Sequence, residues 1–408
     1  MGGTPVRMAP WPTYDKGDVW ITEDDENNVI QAIRDRLYFR YDYRPHSETR
    51  VGAFEQKLCD YFGIGYALAC ASGTTAIALG LLALDLPPGS PVACPAFTFA
   101  ATPSAILLAG HRPVLVESDE NLHLDVEALR AALEAGARAV VVVHMRGFAS
   151  DVTAICRLAD AYGVPVVEDA VPALGACLDD RPLGTFGRVG AFSTQSDKSL
   201  NTGEGGFLLT DDPRLYARAV VFSGAYEGRL DRHFPTGTPE GIDDLALPIL
   251  GVRMDEIRAA LATSLLRSLP DRLNAHRRNY HRVAAGLADV PGLALRQPVR
   301  PGAYLGEALM FRLPGASREQ VAWVAAALRA EGIDARAPAD PGDRNVRAFW
   351  NWRFLVGDDA DAARGRWPRT ARYLDEAVDV PLSANLGEAD CDQLVTAVRR
   401  VLPAVPRG

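Results

Sequence analysis

The sequence predicts an α/β fold, a mostly parallel sheet flanked by helices and followed by a smaller C-terminal α+β domain, and three observations carry that reading. Between residues 66 and 210, apolar runs of strand length alternate with segments of helical period, the pattern of parallel strands joined by crossover helices. After residue 230 the alternation gives way to a polar stretch rich in Gly and Pro. From residue 292 onward a strand-like run and two helical segments form a set of their own. The chain has 408 residues, 48% of them hydrophobic, so it can bury a large core, and its length favours two or three structural units. The division read from the sequence is an arm over residues 1–25, a large domain over 26–270 and a small domain over 271–408.

The strands fall at residues 67–71, 114–117, 139–144, 164–169, 191–193 and 206–210, each a short run of the aliphatic residues that buried strands favour. Helices over 125–134 and 153–162 have apolar residues three and four apart, and Asp125 supplies the first with an N-cap. Residues 231–244 read as a surface loop or a mobile lid. A helix over 254–269 stops at Pro270, which has no N–H to give, and leads through 272–290 into the smaller unit. There, residues 308–313 form a strand, 318–331 a helix capped by Ser317, and 390–402 a last helix. Residues 1–18 are broken by Gly2, Gly3, Pro5, Pro10, Pro12 and Gly17 and read as an arm without regular structure.

Composition excludes several functions. A net charge of −9 gives no basic footprint for nucleic acid, so a small-molecule substrate is expected. Six cysteines are scattered without a CxxC pair and read as reduced core thiols. The seven histidines form no HExxH pattern, and His276 and His281, five apart, do not share a helix face, so no metal site is expected. No basic segment leads into an apolar core at the N-terminus, and no apolar run reaches membrane length, so a cytoplasmic protein without a membrane partner is expected.

Three local features, in order along the same sheet, carry chemistry. Ser72-Gly73-Thr74 lies between a strand and a helix, where free N–H groups and a hydroxyl at a helix N-terminus suit a phosphate; the same tripeptide also serves as an ordinary cap. Glu168-Asp169-Ala170 ends a very apolar strand, so a carboxylate faces the crevice in which open α/β sheets bind ligands. An aspartate there can keep a pyridine nitrogen protonated; helix capping and metal binding stay open as alternatives. Lys198 follows Phe192-Ser193-Thr194-Gln195-Ser196-Asp197 and precedes Gly203-Glu204-Gly205-Gly206. A lysine just beyond a strand, beside glycines that allow close backbone approach, is placed to form an imine with an aldehyde, provided that burial or a neighbouring cation keeps its amine partly deprotonated.

Those motifs, with residues 95–102 and the His144/Gly147 pair, resemble the DegT/DnrJ/EryC1/StrS aminotransferases over nearly the whole chain. The resemblance implies a fold-type-I enzyme with a seven-stranded sheet, dependent on pyridoxal 5′-phosphate, with the pyridoxamine form arising in the half-reaction. It implies that Lys198 holds the cofactor as a Schiff base and moves the proton, that Asp169 binds the pyridine nitrogen, that Gly73, Thr74 and Ser193 hold the phosphate, and that Phe99 stacks on the ring. Related dehydratases carry histidine in place of the lysine, so Lys198 points to transamination. The implied reaction passes an amino group from glutamate or glutamine to a keto-sugar or keto-cyclitol in secondary-metabolite (antibiotic) biosynthesis, in a homodimer with shared active sites.

Two positions depart from the pattern: Pro172 stands where a glutamine or histidine would reach the cofactor's hydroxyl side, and Gly251 where an asparagine would reach the neighbouring subunit's phosphate. They motivate one alternative, altered chemistry on the same cofactor such as aromatising elimination or oxidation; a non-catalytic sensor is another. Trp11-Pro12-Thr13-Tyr14 and residues 37–41 resemble the branches that make aminocyclitols or 3-amino-5-hydroxybenzoate, where such aromatic residues suit a polyhydroxylated ring, although Trp11 and Tyr38 also serve as simple anchors of the arm. Arg229, Arg253, Arg347 and Arg353 are candidates to clamp a donor carboxylate.

Overall fold

The computed structural model describes residues 3–12 and 20–406. The predicted features at Gly2, Thr13, Tyr14 and Gly17 lie outside the described residues. Nine strands precede residue 211: β1 (Tyr66–Cys70), β2 (Pro91–Pro95), β3 (Arg112–Val116), β4 (Ala139–Val143), β5 (Val166–Asp169), the two-residue pair β6 (Cys177–Leu178) and β7 (Arg181–Pro182), β8 (Val189–Ser193) and β9 (Gly206–Thr210). All but β6 and β7 join one seven-stranded sheet in the order β1-β9-β8-β5-β4-β2-β3. Only β9 runs against its neighbours; the other six are co-directional, so their C-terminal ends open along one edge.

Burial on both faces explains the strand sequences. β4 reads Ala-Val-Val-Val-Val with every residue buried, because helices cover the sheet on both sides. The helix Gly73–Ala83 has eight buried residues and no polar stripe. Gly80 lets it lie close to the sheet, since a Cβ there would stand 2.9 Å from Val189 Cγ1.

A second, antiparallel sheet, β10 (Ala294–Leu295), β11 (Ala308–Arg312) and β12 (Ala377–Pro381), is ordered β10-β11-β12. It shares a core of Leu309, Phe311, Val378 and Val380 with the helices Leu269–Leu287, Arg318–Ala330 and Glu388–Val401. The described arm lies on this unit: Arg7 reaches Asp390 at 2.5 Å and Gln393 at 2.8 Å, and Trp11 Nε1 donates to the Pro381 carbonyl at 3.2 Å. Trp11 thus anchors the arm. Phe349, Trp350, Trp352 and Leu374 turn back and pack into the core of the large sheet, with a bridge between Ala348 and Phe97.

Two sequence expectations differ from the structure. β2 is not among the strands expected from the sequence; its prolines, Pro91 and Pro95, occupy the first and last residues of the strand, positions that tolerate proline. The helix expected over 254–269 spans Glu256–Leu265 and ends before Pro270, which sits instead in the first turn of Leu269–Leu287 and so starts a helix. Among the described residues, no helix is long and apolar enough to cross a membrane.

Candidate active site

The carboxyl edge of the large sheet opens into a cavity of about 360 Å³ lined by Ser72, Gly73, Thr74, Phe99, Asp169, Ser193 and Lys198, so the residues to which the resemblance gives cofactor roles meet there. At one end stands a cradle of backbone donors. Ser72 caps the helix Gly73–Ala83: its Oγ accepts from Thr75 N–H at 3.1 Å, while Thr75 Oγ1 accepts from Ser72 N–H at 3.0 Å. The first helical bond runs from Ala76 to Ser72, which leaves the N–H groups of Gly73 and Thr74 without partners among the described residues. Gly73 is required by contact: a Cβ would lie 2.8 Å from Ser193 Cβ and Val171 Cγ2. Gly206 is tighter still, 2.5 Å from the Ser72 carbonyl carbon. An anion therefore sees N–H groups, the positive end of a helix and the Ser193 hydroxyl.

Beside the cradle, at the end of β5, strand alternation sends the two acids opposite ways. Glu168 turns from the cavity into a closed set of bonds, accepting from Gly184 N–H at 2.8 Å and Gly187 N–H at 2.6 Å, with His144 Nε2 at 3.0 Å. Because His144 Nδ1 accepts from Ser150 N–H, Nε2 is the nitrogen that donates to Glu168. Asp169 lines the cavity and is 4% exposed. Its Oδ2 accepts from Thr102 Oγ1 at 2.7 Å and its Oδ1 from Val171 N–H at 3.2 Å. Burial pushes this carboxyl above its ordinary range despite those donors and the nearby His144 and Lys198. Such a carboxylate is costly alone and suited to a cationic ring nitrogen.

Lys198 rides on a loop between β8 and β9 that closes on itself through Thr194 N–H to Gly205 O, at 2.9 Å, and Thr202 N–H to Thr194 O, at 2.8 Å. Only glycine fits at 205, where φ is +146° and a Cβ would stand 2.4 Å from Thr194 Oγ1. The ammonium lies 3.1 Å from Asp197 Oδ1, so its close charged neighbour is an anion and not the cation the sequence reading allowed for. Buried Arg272 braces the loop by donating to the Ser199 carbonyl at 2.7 Å. The sequence contains three lysines; Lys57 is exposed on the helix Arg50–Phe62, and Lys16 lies outside the described residues.

Of the four candidate arginines only Arg347 reaches the cavity, with its guanidinium 5.9 Å from the centre of the Phe99 ring. Arg229 stacks on Tyr226, Arg253 donates to the Gly224 carbonyl, and Arg353 is exposed beside Asp358. Tyr38 and Gly251 are exposed and line no part of the cavity. Sequence reasoning gave no role to Thr102, Arg146, Glu307 or Arg272; Thr102, Arg146 and Arg272 carry no local signal for one, because each meets a partner far along the chain.

His46, Glu55 and His233 also converge, but Glu55, His46 Nε2 and both ring nitrogens of His233 are already in use. Glu55 accepts from Arg40 Nη2 at 2.6 and 2.8 Å, from Ala69 N–H at 2.6 Å, and pairs with His46 at 2.8 Å. Both nitrogens of His233 bond to tyrosine hydroxyls, Tyr41 at 3.0 Å and Tyr216 at 2.7 Å, and burial holds His233 well below the usual histidine range. The cluster braces the chain against β1.

Unpartnered backbone donors at a helix N-terminus, a buried carboxyl and a lysine lining one cavity on the carboxyl edge of a mostly parallel sheet suit a fold-type-I pyridoxal-phosphate enzyme. Bound there, the cofactor supplies an aldehyde that condenses with amines and a ring that accepts electrons. The chain belongs to the DegT/DnrJ/EryC1/StrS aminotransferase family, which it matches over residues 25–399, and it is a pyridoxal-phosphate-dependent aminotransferase. It is 32% identical to the L-glutamine:2-deoxy-scyllo-inosose aminotransferase of Streptomyces kanamyceticus, covering 98% of this chain and 95% of that one. It is 30% identical to the GDP-perosamine synthase of Caulobacter vibrioides, over 86% and 89% of the two chains. Its fold superposes on 3-amino-5-hydroxybenzoic acid synthase with a TM-score of 0.81, at 23% identity and with 98% and 100% of the two chains covered.

Proposed function

We propose that this aminotransferase passes an amino group from glutamate or glutamine to a keto-cyclitol or keto-sugar in secondary-metabolite biosynthesis. The observation that carries the reading is the composition of the cavity wall. Asp197, Glu204 and Glu307 offer acceptors to a polyhydroxylated ring, while Arg347 at Phe99 offers a fork to a carboxylate. The likeness to a scyllo-inosose aminotransferase along the full chain supports a cyclitol in particular.

In this reading Lys198 attaches the cofactor and then moves a proton between the substrate carbon and the cofactor, and Asp169 pairs with the ring nitrogen. Gly73, Thr74 and Ser193 hold the phosphate, and Phe99 covers a face of the ring. Steady-state kinetics with glutamine or glutamate against a panel of cyclic ketones tests the assignment: parallel double-reciprocal lines and a labelled amino group recovered on the ring are expected. Conversion of the amino donor to its keto acid without amino transfer to any ketone would contradict it.

Arg347→Ala is expected to raise KM for the amino donor by about tenfold to a hundredfold, the loss of one charged, forked contact, while KM for the ketone changes little. Equal changes in both constants would remove Arg347 from donor binding.

We also infer a cytoplasmic homodimer. Leu245, Ile249 and Leu250 are 89%, 49% and 48% exposed, and the segment they lead into is tied to the cradle, where the Val252 carbonyl accepts from Ala71 N–H at 2.8 Å. An apolar run exposed beside a ligand site suits a second copy that completes it. Light scattering at micromolar concentration is expected to give the dimer mass, and Ile249→Asp/Leu250→Asp the monomer mass with weaker cofactor retention.

A further inference from the structure

The turn that follows β4, Met145–Gly147, holds Arg146 with φ 56° and ψ 33°, a left-handed conformation that side-chain-bearing residues rarely adopt. Gly147 follows it at φ +76°, and a Cβ there would lie 2.8 Å from Leu305 Cβ, 3.3 Å from Glu307 Cγ and 3.3 Å from the Pro172 carbonyl oxygen. The turn, Pro172 and the approach to β11 are thereby pressed into one wall. Arg146 is 6% exposed, and its Nε and Nη2 meet Asp379 Oδ1 on β12 at 3.1 and 2.9 Å. It nevertheless lines the cavity with Met145, Asp169, Pro172 and Glu307.

The sheet order decides which part of the cofactor this wall meets. Pyridoxal phosphate carries its phosphate arm and its 3-hydroxyl on opposite flanks of the axis from ring nitrogen to aldehyde carbon. With the nitrogen at Asp169 on β5 and the phosphate at the cradle, on the β8 side, the 3-hydroxyl flank turns toward β4. Met145 has no polar hydrogen, Pro172 no side-chain donor, and Glu307 is an acceptor that opposes a phenolate. The guanidinium is the donor of that wall.

We propose that Arg146, aimed by its strained turn and by Asp379, is the contact to the cofactor's 3-oxygen and fills the role that Pro172 does not supply. The inference rests on the cofactor orientation given under the proposed function. Binding of pyridoxal phosphate and of 3-deoxypyridoxal phosphate to cofactor-free protein, followed by quenching of intrinsic fluorescence, tests it. Wild type is expected to prefer pyridoxal phosphate, and Arg146→Met to lose about tenfold to a hundredfold in affinity for pyridoxal phosphate while binding the 3-deoxy compound as before.

Equal losses for both compounds, or no loss for either, would overturn the proposal and leave Arg146 a structural tie to β12. Should Arg146→Met fold poorly with Asp379 left unpaired, Arg146→Met/Asp379→Leu removes both charges and gives the same comparison. A double variant that keeps the wild-type preference overturns the proposal as well. A wild type that holds neither compound would instead defeat the cofactor assignment beneath it.

Discussion

Lys198→Ala is expected to give a folded, colourless protein whose transamination rate falls by about a thousandfold or more, since in the proposed role one side chain supplies both the covalent attachment and the proton transfer. No other described lysine can substitute: Lys57 is exposed on the helix Arg50–Phe62 and does not line the cavity. The proposed phosphate cradle is independent of Lys198, because the donors assigned to it are the backbone of Gly73 and Thr74 and the hydroxyl of Ser193. The variant should therefore still bind the cofactor reversibly, with the absorbance of the free aldehyde and removable by dialysis. Absorbance spectra before and after dialysis, with circular dichroism to establish folding, provide the check. Retention of the wild-type spectrum would place the attachment elsewhere.

Asp169→Asn is expected to lower kcat by about a hundredfold or more, as losing the partner of a buried cation does, and its effect on stability should change sign with the cofactor. In the cofactor-free protein, burial raises the Asp169 carboxyl above its ordinary value, so the folded state holds its proton more tightly than the unfolded state. The associated stability is present below the unfolded value and is lost as pH rises through the folded one. Asparagine carries no such penalty. Cofactor-free Asp169→Asn should thus be more stable than wild type near neutral pH, and acidification should close the gap. With cofactor bound, a cationic ring nitrogen stabilises the wild-type carboxylate and the order reverses. Urea titrations at neutral and acidic pH, with and without pyridoxal phosphate, resolve the four cases; the same order in all of them would remove Asp169 from the ring nitrogen.

Much of this site was legible in the sequence because its signals are local. A hydroxyl residue before Gly-Thr at a strand-to-helix junction, an acid ending a run of valines and a lysine ahead of paired glycines each follow from neighbours in the chain. The reversed direction of β9 was not legible: residues 194–205 form a loop without a crossover helix, and nothing in their composition sets its return path. The resemblance names Asp169 over Glu168; the physical reason is the register of β5, which sends Glu168 to Gly184 and Gly187 and Asp169 to Thr102. Thr102 lies 67 positions from its carboxylate and Arg146 lies 233 from Asp379, separations that only the sheet order brings together. Arg347 was one of four candidates of equal standing, and the antiparallel bridge between Ala348 and Phe97 is what carries it to the cavity mouth.

The role of Lys198 is tested most directly by reducing the cofactor-loaded protein with borohydride and mapping the modified peptide by mass spectrometry. The expected result is one phosphopyridoxyl group per chain, on Lys198, absent after prior treatment with an amino donor. Label on Lys57 or Lys16, or an unlabelled protein that was visibly coloured before reduction, would contradict the assignment of the site.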